Sequence, residues 1–149
     1  MKTFSLDEAR TLLPVLEGLL KRAIEGKQTA ELCETKLQAL NQRIFLAGGM
    51  LVNVVEAART RAQREHNLRQ AQDAISEIDA IGVQVKDLEI GLLDFPCQVG
   101  EETVLLCWKM GEADINFWHT LESGFAGRQP LDDRFQRGKD RQNRDARPN

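Results

Sequence analysis

The chain has 149 residues, 42% apolar and 29% charged, with a formal net charge of −3. These values suit a folded chain of one domain, or an elongated helical part with a small lobe, and disfavour non-specific attraction to phosphate backbones. No apolar run approaches the roughly 18–20 residues of a membrane span, and Met1-Lys2-Thr3-Phe4-Ser5 leads straight into a helical pattern without a signal-peptide core. Cytoplasmic residence with no membrane partner is therefore expected. Cys33, Cys97 and Cys107 are odd in number and far apart, which predicts no disulfide framework.

The opening Phe4-Ser5-Leu6-Asp7-Glu8 reads as a capping box, with Ser5 and Glu8 exchanging hydrogen bonds and Phe4 placed as a hydrophobic staple. Pro14 predicts a short helix near 6–12, then a kink or restart, because proline removes a donor and clashes one turn back.

From Leu16 a seven-residue repeat sets Leu16, Ala23, Ala30, Leu37 and Ile44 in one column and Leu19, Gly26, Cys33, Leu40 and Ala47 in another. That is the seam of a packed helix pair. Gly48-Gly49 is expected to reverse the chain. A second seam follows, with Val54, Arg61, Leu68 and Ile75 beside Ala57, Arg64, Ala71 and Ile78. Folding back at the glycines sets Leu40 against Ala57, Cys33 against Arg64, Gly26 against Ala71 and Leu19 against Ile78. Each arm of this coiled-coil-like hairpin would run about 30 residues, or roughly 45 Å. The seam turns polar at Arg61 and Arg64, which need to snorkel or to meet acids such as Glu31 or Glu34. Two helices alone leave apolar flanks exposed, so a homodimer or a lobe packed back on the hairpin is expected.

After Ile81-Gly82 the pattern changes to short alternating segments punctuated by glycine. Strands are expected near 83–86, 89–95, 103–109 and 115–120, forming a small antiparallel meander. The fold class is thus α+β: a helical hairpin over 1–82, a β-rich lobe over 83–131 and a polar tail over 132–149. That tail holds six basic and four acidic side chains and one aromatic, Phe135. It buries too little surface to offset its ordering entropy and is read as disordered. The interspersed acids make nucleic-acid binding through it the weakest of the functional readings.

Alternation orders the lobe further. If 92–97 pair with 104–109 across a turn at Gly100-Glu101, then Leu93 faces Trp108, Phe95 faces Leu106 and Cys97 faces Val104 on an apolar side. The other side pairs Asp94 with Cys107. Whether His119 joins them depends on the parity of 115–119, which the residues leave open. A cysteine, a histidine and an aspartate on one face are the minimum for thiolate chemistry with an oriented base. The plainer alternative is a structural cysteine and a hydrogen-bonded histidine. Cys97 and Cys107 lack zinc-knuckle spacing, so no metal motif is assigned and the cofactor stays unknown; a mixed site from Cys107, His119 and Glu112 or Glu122 is geometrically conceivable. Walker, Rossmann and H-E-x-x-H patterns are missing. Trp108, Trp118, His119 and Arg128 fall in one short stretch, where aromatics and an arginine on glycine turns can bind a small anionic or planar ligand. The bland counterpart makes both tryptophans core and pairs Arg128 with an acid.

Three segments carry a resemblance: Gly91-Leu92-Leu93-Asp94-Phe95-Pro96, Leu106-Cys107-Trp108 with Gly111-Glu112, and Trp118-His119 with Gly124-Phe125-Ala126-Gly127-Arg128. Together with the opening from Phe4 to Leu13-Pro14, they make the chain resemble the bacterial family called domain of unknown function 2203, over roughly 1–131. The resemblance implies no mechanism. It directs attention to 91–128, with Asp94, Cys107, Trp108, Glu112, Trp118, His119 and Arg128 as candidate site residues. The expected function is an interaction or ligand-binding module with a self-associating hairpin; the rival is an enzyme working through Cys107, His119 and Asp94 by thiol or metal-assisted chemistry.

Overall fold

The computed structural model describes residues 2–47 and 51–136. The expected reversal at Gly48-Gly49, and the tail beyond Gln136, lie outside the described residues. Two long helices, α1 (Leu6–Ala47) and α2 (Leu51–Ile81), pack together. They precede an antiparallel sheet of five strands in the order β1-β2-β3-β4-β5, an α+β arrangement. The strands are β1 (Gln84–Asp87), β2 (Leu92–Val99), β3 (Glu102–Lys109), β4 (Phe117–His119) and β5 (Gln129–Pro130). The chain divides into two compact units, one from residues up to 19 and from 77 onward, the other from Leu20–Ser76. No helix among the described residues is long and apolar enough to cross a membrane.

Helix α1 starts at the capping box. The Glu8 amide donates to Ser5 Oγ at 3.2 Å and the Ser5 amide donates to Glu8 Oε1 at 3.3 Å, satisfying two amides that have no partner inside the helix. Phe4 does more than staple the cap. Its amide donates to the Pro96 carbonyl at 2.7 Å, and its ring meets Phe95 edge-on with centroids 6.1 Å apart. The expected break at Pro14 does not occur, since α1 is continuous through it. Proline deletes one donor, the one that would reach the Arg10 carbonyl. The buried residues Leu13, Leu16 and Leu19 bind that stretch of helix into the core, which outweighs one lost hydrogen bond.

Within the second unit, the α1 columns are inward as read: Ala23, Gly26, Ala30, Cys33, Leu37 and Leu40 are buried. Leu37 and Leu40 cluster with Ala57, and Ile44 packs against them. Gly26 lies so close to α2 that a Cβ on it would meet the Asn67 carbonyl oxygen at 2.7 Å and the Ala71 Cβ at 3.2 Å. Arg64 forms an ion pair with Glu34, the partner its seam position requires. The other α2 column differs from expectation. Val54 and Leu68 are exposed and Arg61 faces solvent, while Thr60 and Ala74 are buried and Asn67 is half-buried. The inward face is therefore Ala57, Thr60, Arg64, Asn67, Ala71 and Ala74, rotated one residue from the apolar pattern. Close approach at Gly26 demands small side chains on α2, and size overrides hydropathy there.

In the first unit, β2 and β3 pair as expected: Leu93 with Trp108, Asp94 with Cys107, Phe95 with Leu106 and Cys97 with Val104. The two-residue turn works because Gly100 takes φ of 62°, where a Cβ would be strained. Two features escaped the sequence reading. Strand β5 adds to the edge of β4, pairing Gln129 with Trp118 and Pro130 with Phe117. Residues 133–136 form one helical turn in which Phe135 is buried, its ring 5.8 Å from that of Trp118.

Candidate functional site

Strand β4 decides the site. It pairs with β3 so that Cys107 opposes Phe117, Leu106 opposes Trp118 and Leu105 opposes His119. Directly paired residues share a face of an antiparallel sheet. Trp108 and Trp118 therefore join Leu93, Phe95 and Leu106 on the apolar side. His119 shares the side of Asp94 and Cys107, the parity that the sequence left open.

Asp94, Cys107 and His119 are all buried, each at most 2% exposed. His119 Nε2 lies 3.0 Å from Asp94 Oδ1, and Nδ1 lies 2.7 Å from the Thr120 carbonyl oxygen. A carbonyl can only accept, so Nδ1 carries a proton and donates it. One further proton lies between Nε2 and Oδ1, so the His119–Asp94 pair as a whole is neutral, as burial requires. The Cys107 Sγ lies within 4.8 Å of both partners, and the thiol is pushed up to about 12, first by burial and next by the Asp94 charge, while the Arg128 guanidinium pulls the other way.

The order of these contacts limits the chemistry. In a thiolate enzyme the histidine lies between the cysteine and the acid, taking the thiol proton on one side and being oriented from the other. Here both imidazole nitrogens are engaged elsewhere, Nε2 with Asp94 Oδ1 and Nδ1 with the Thr120 carbonyl, so neither is left to take the thiol proton. A nucleophilic thiolate also needs a lowered thiol pKa, and burial and Asp94 shift Cys107 in the opposite direction. The arrangement suits a shared-proton cluster or a set of converging donor atoms rather than a cysteine nucleophile.

Glu112 and Arg128 form a second group beside the first. Arg128 Nη2 donates to both Glu112 oxygens, at 2.9 and 2.8 Å. Its guanidinium stacks 3.9 Å from the Phe117 ring centroid and 4.9 Å from that of Phe125. Glu112 also accepts the Lys109 amide at 2.7 Å, and its carbonyl accepts Trp108 Nε1 at 3.0 Å. These bonds hold Glu112 away from the Asp94 cluster, and Glu122 is exposed; the acid that accompanies Cys107 and His119 is Asp94. Trp118 Nε1 and Arg128 Nε are buried without a hydrogen-bond partner among the described residues. A cavity of about 290 Å³ does open in this unit, but Phe4, Cys97, Arg134 and Phe135 help line it and none of the seven candidates does.

The family model described as an uncharacterized conserved protein, DUF2203, matches residues 2–131. The chain belongs to the DUF2203 family. No curated protein and no solved structure matches it. The matched span includes both helices, the whole DUF2203 sheet and every one of the seven candidates, and it ends before the helical turn that carries Phe135.

Residues that the sequence reading missed are mostly invisible to it. The Thr120 contribution is a carbonyl, which no side chain advertises. Phe117 as a platform for Arg128 follows only once the parity of β4 is known, and Phe125 reaches Arg128 through the short 3-10 turn Phe125–Gly127.

Proposed function

We propose that this DUF2203 protein is a cytoplasmic interaction module that pairs with a second copy of itself through the end of α1 at Phe45 and the start of α2 at Leu51. One observation carries the reading. Phe45, Leu46, Leu51 and Val52 are 85, 75, 78 and 70% exposed, and Val54 and Val55 are exposed beside them. Large apolar side chains this exposed, concentrated at the end of one long helix and the start of the next, mark an interaction site. No charged residue occurs between Arg43 and Glu56. A two-fold contact, which sets the same patch on both copies face to face, therefore brings no like charges together.

The magnitudes favour a modest dimer. Fully burying one large apolar side chain contributes about 1.5–3 kcal/mol, so partial burial of six on each copy supplies on the order of 10–20 kcal/mol. Lost freedom on association costs about 4–15 kcal/mol. The balance fits a dimer that forms at micromolar concentration. Light scattering after size exclusion, run over a concentration series, should show the mass rising toward twice that of the chain. Phe45→Glu with Leu51→Glu should hold it at one chain. A wild-type protein that stays monomeric at the highest concentration would sink the proposal.

A second reading concerns the lobe, and Arg128 favours it. A guanidinium stacked on two phenylalanines with one buried N–H unused is prepared for a planar anion. Benzoate should raise the melting temperature of wild type and leave Arg128→Met unmoved; an equal response of both proteins removes this reading.

A further inference from the structure

A carboxylate oxygen of Asp94, the Sγ of Cys107 and a ring nitrogen of His119 all lie within 4.8 Å of one another. The donors come from β2, β3 and β4, three adjacent strands whose ladder fixes their spacing. Tetrahedral zinc, with bonds of roughly 2.0–2.3 Å, sets its ligand atoms about 3.3–3.8 Å apart. Small side-chain rotations bring this set to that spacing, and the 3.0 Å contact between Asp94 and His119 is already close to it.

Two observations separate this cluster from an ordinary buried ion pair. The Thr120 carbonyl holds Nδ1–H at 2.7 Å, which fixes the ring and leaves Nε2 aimed at the other two donors. A ligating histidine is oriented by just such an outer hydrogen bond. The second observation is the sulfur. A histidine and an aspartate that share a proton are already neutral, and a thiol beside them adds nothing to that balance. Sulfur, imidazole nitrogen and one carboxylate oxygen are, however, the donor mix of zinc and its neighbours in the first transition row.

We propose that Asp94, Cys107 and His119 are a three-ligand site for a divalent transition-metal ion of the zinc class. Binding one ion displaces two protons, the one on Sγ and the one between Nε2 and Oδ1; Nδ1 keeps its own, and no electron moves. Thiolate, carboxylate and neutral imidazole around a dication form a neutral unit, which a site this buried demands. Among the described residues no fourth side chain joins the set. One position is left for water or for an atom of a bound molecule, the pattern of zinc centres that polarise a ligand rather than of closed structural ones. The site does not depend on association of the hairpin, so a monomer that binds metal upholds this inference while removing the dimer.

Cobalt(II) is the probe, because its bond to a thiolate absorbs in the near ultraviolet and its tetrahedral form absorbs in the visible. Such a buried ion enters as the chain folds, so the full chain is unfolded with chelator, freed of it, and refolded with one equivalent of cobalt(II). A Cys33→Ala, Cys97→Ala variant, whose sole thiol is Cys107, should show both absorptions at one ion per chain, and zinc should bleach them. Cys107→Ser should lose the thiolate band and bind more weakly by at least the roughly 100-fold upper end of what a lost outer partner costs. If the two-alanine variant folds, by its circular dichroism, yet shows no thiolate band, the inference is overturned. It is equally overturned if Cys107→Ser folds and keeps the wild-type spectrum. Should the two-alanine variant fail to fold, the wild-type band decides, read against single Cys33→Ala and Cys97→Ala replacements.

Discussion

Two glycines of α1 should respond to alanine with opposite sign. Alanine in a helix interior is favoured over glycine by about 1 kcal/mol, because glycine loses more backbone freedom on folding. At Gly18 an added Cβ meets nothing within 4 Å, so Gly18→Ala should stabilise by about that amount. At Gly26 the added Cβ would lie 2.7 Å from the Asn67 carbonyl oxygen and 3.2 Å from both the Ala71 Cβ and the Ala71 amide nitrogen. Two of these are backbone atoms that cannot swing aside, so the helices must part by about 0.5–1 Å, a gap that forfeits a quarter to a half of each dispersion well along the contact. Overpacking of this kind costs typically 1–3 kcal/mol. With nothing flexible to yield, the upper part of that range applies, and Gly26→Ala should destabilise by about 1–2 kcal/mol net. Urea unfolding of each full-length variant, followed by helical circular dichroism, reads the difference as a shift in midpoint at constant slope. If Gly26→Ala proves as stabilising as Gly18→Ala, the close approach of the two helices at Gly26 is wrong, and with it the rotated α2 face.

Three further outcomes are expected. Removing either partner of the buried Asp94–His119 pair, by Asp94→Leu or His119→Leu, should cost about 3–5 kcal/mol in urea unfolding, and the double variant should cost clearly less than the two together; additive losses would show the pair is not coupled. Stability should fall as pH rises above about 9. Cys97 and Cys107 have an ordinary value of 9.0, and burial raises them to about 11 and about 12 in the folded chain, so the unfolded chain releases those protons first and gains on the native state. Melting temperatures from pH 8 upward measure this, and Cys107→Ala should flatten the decline; an unchanged slope would assign it elsewhere. Ser5→Ala should cost about 1 kcal/mol through the lost cap, measured by the same urea titration, whereas a neutral result would make the Ser5–Glu8 exchange incidental.

Local rules were enough wherever a segment had one favourable reading. The cap at Ser5 and Glu8 is such a case, since both bonds lie within one turn. So is the β2–β3 register, because sliding by one residue would turn Leu93, Phe95, Leu106 and Trp108 off the core face at once. The α1 columns were equally legible, their large and small residues alternating at a single period. Three-dimensional context settled what local pattern left balanced. Strand β4 is three residues long, with Phe117 on one side and Trp118 on the other, so both parities bury an aromatic. Only pairing with Cys107 and Leu106 sent His119 to the face of Asp94. On α2, contact with Gly26 selected Asn67 and Ala71 over the larger Leu68, because steric fit at close approach outweighs the transfer energy of one side chain. The candidate centre belongs to this second group. Its three side chains are visible in the sequence as residue types, but their convergence within 4.8 Å exists only because three consecutive strands pair in one particular register.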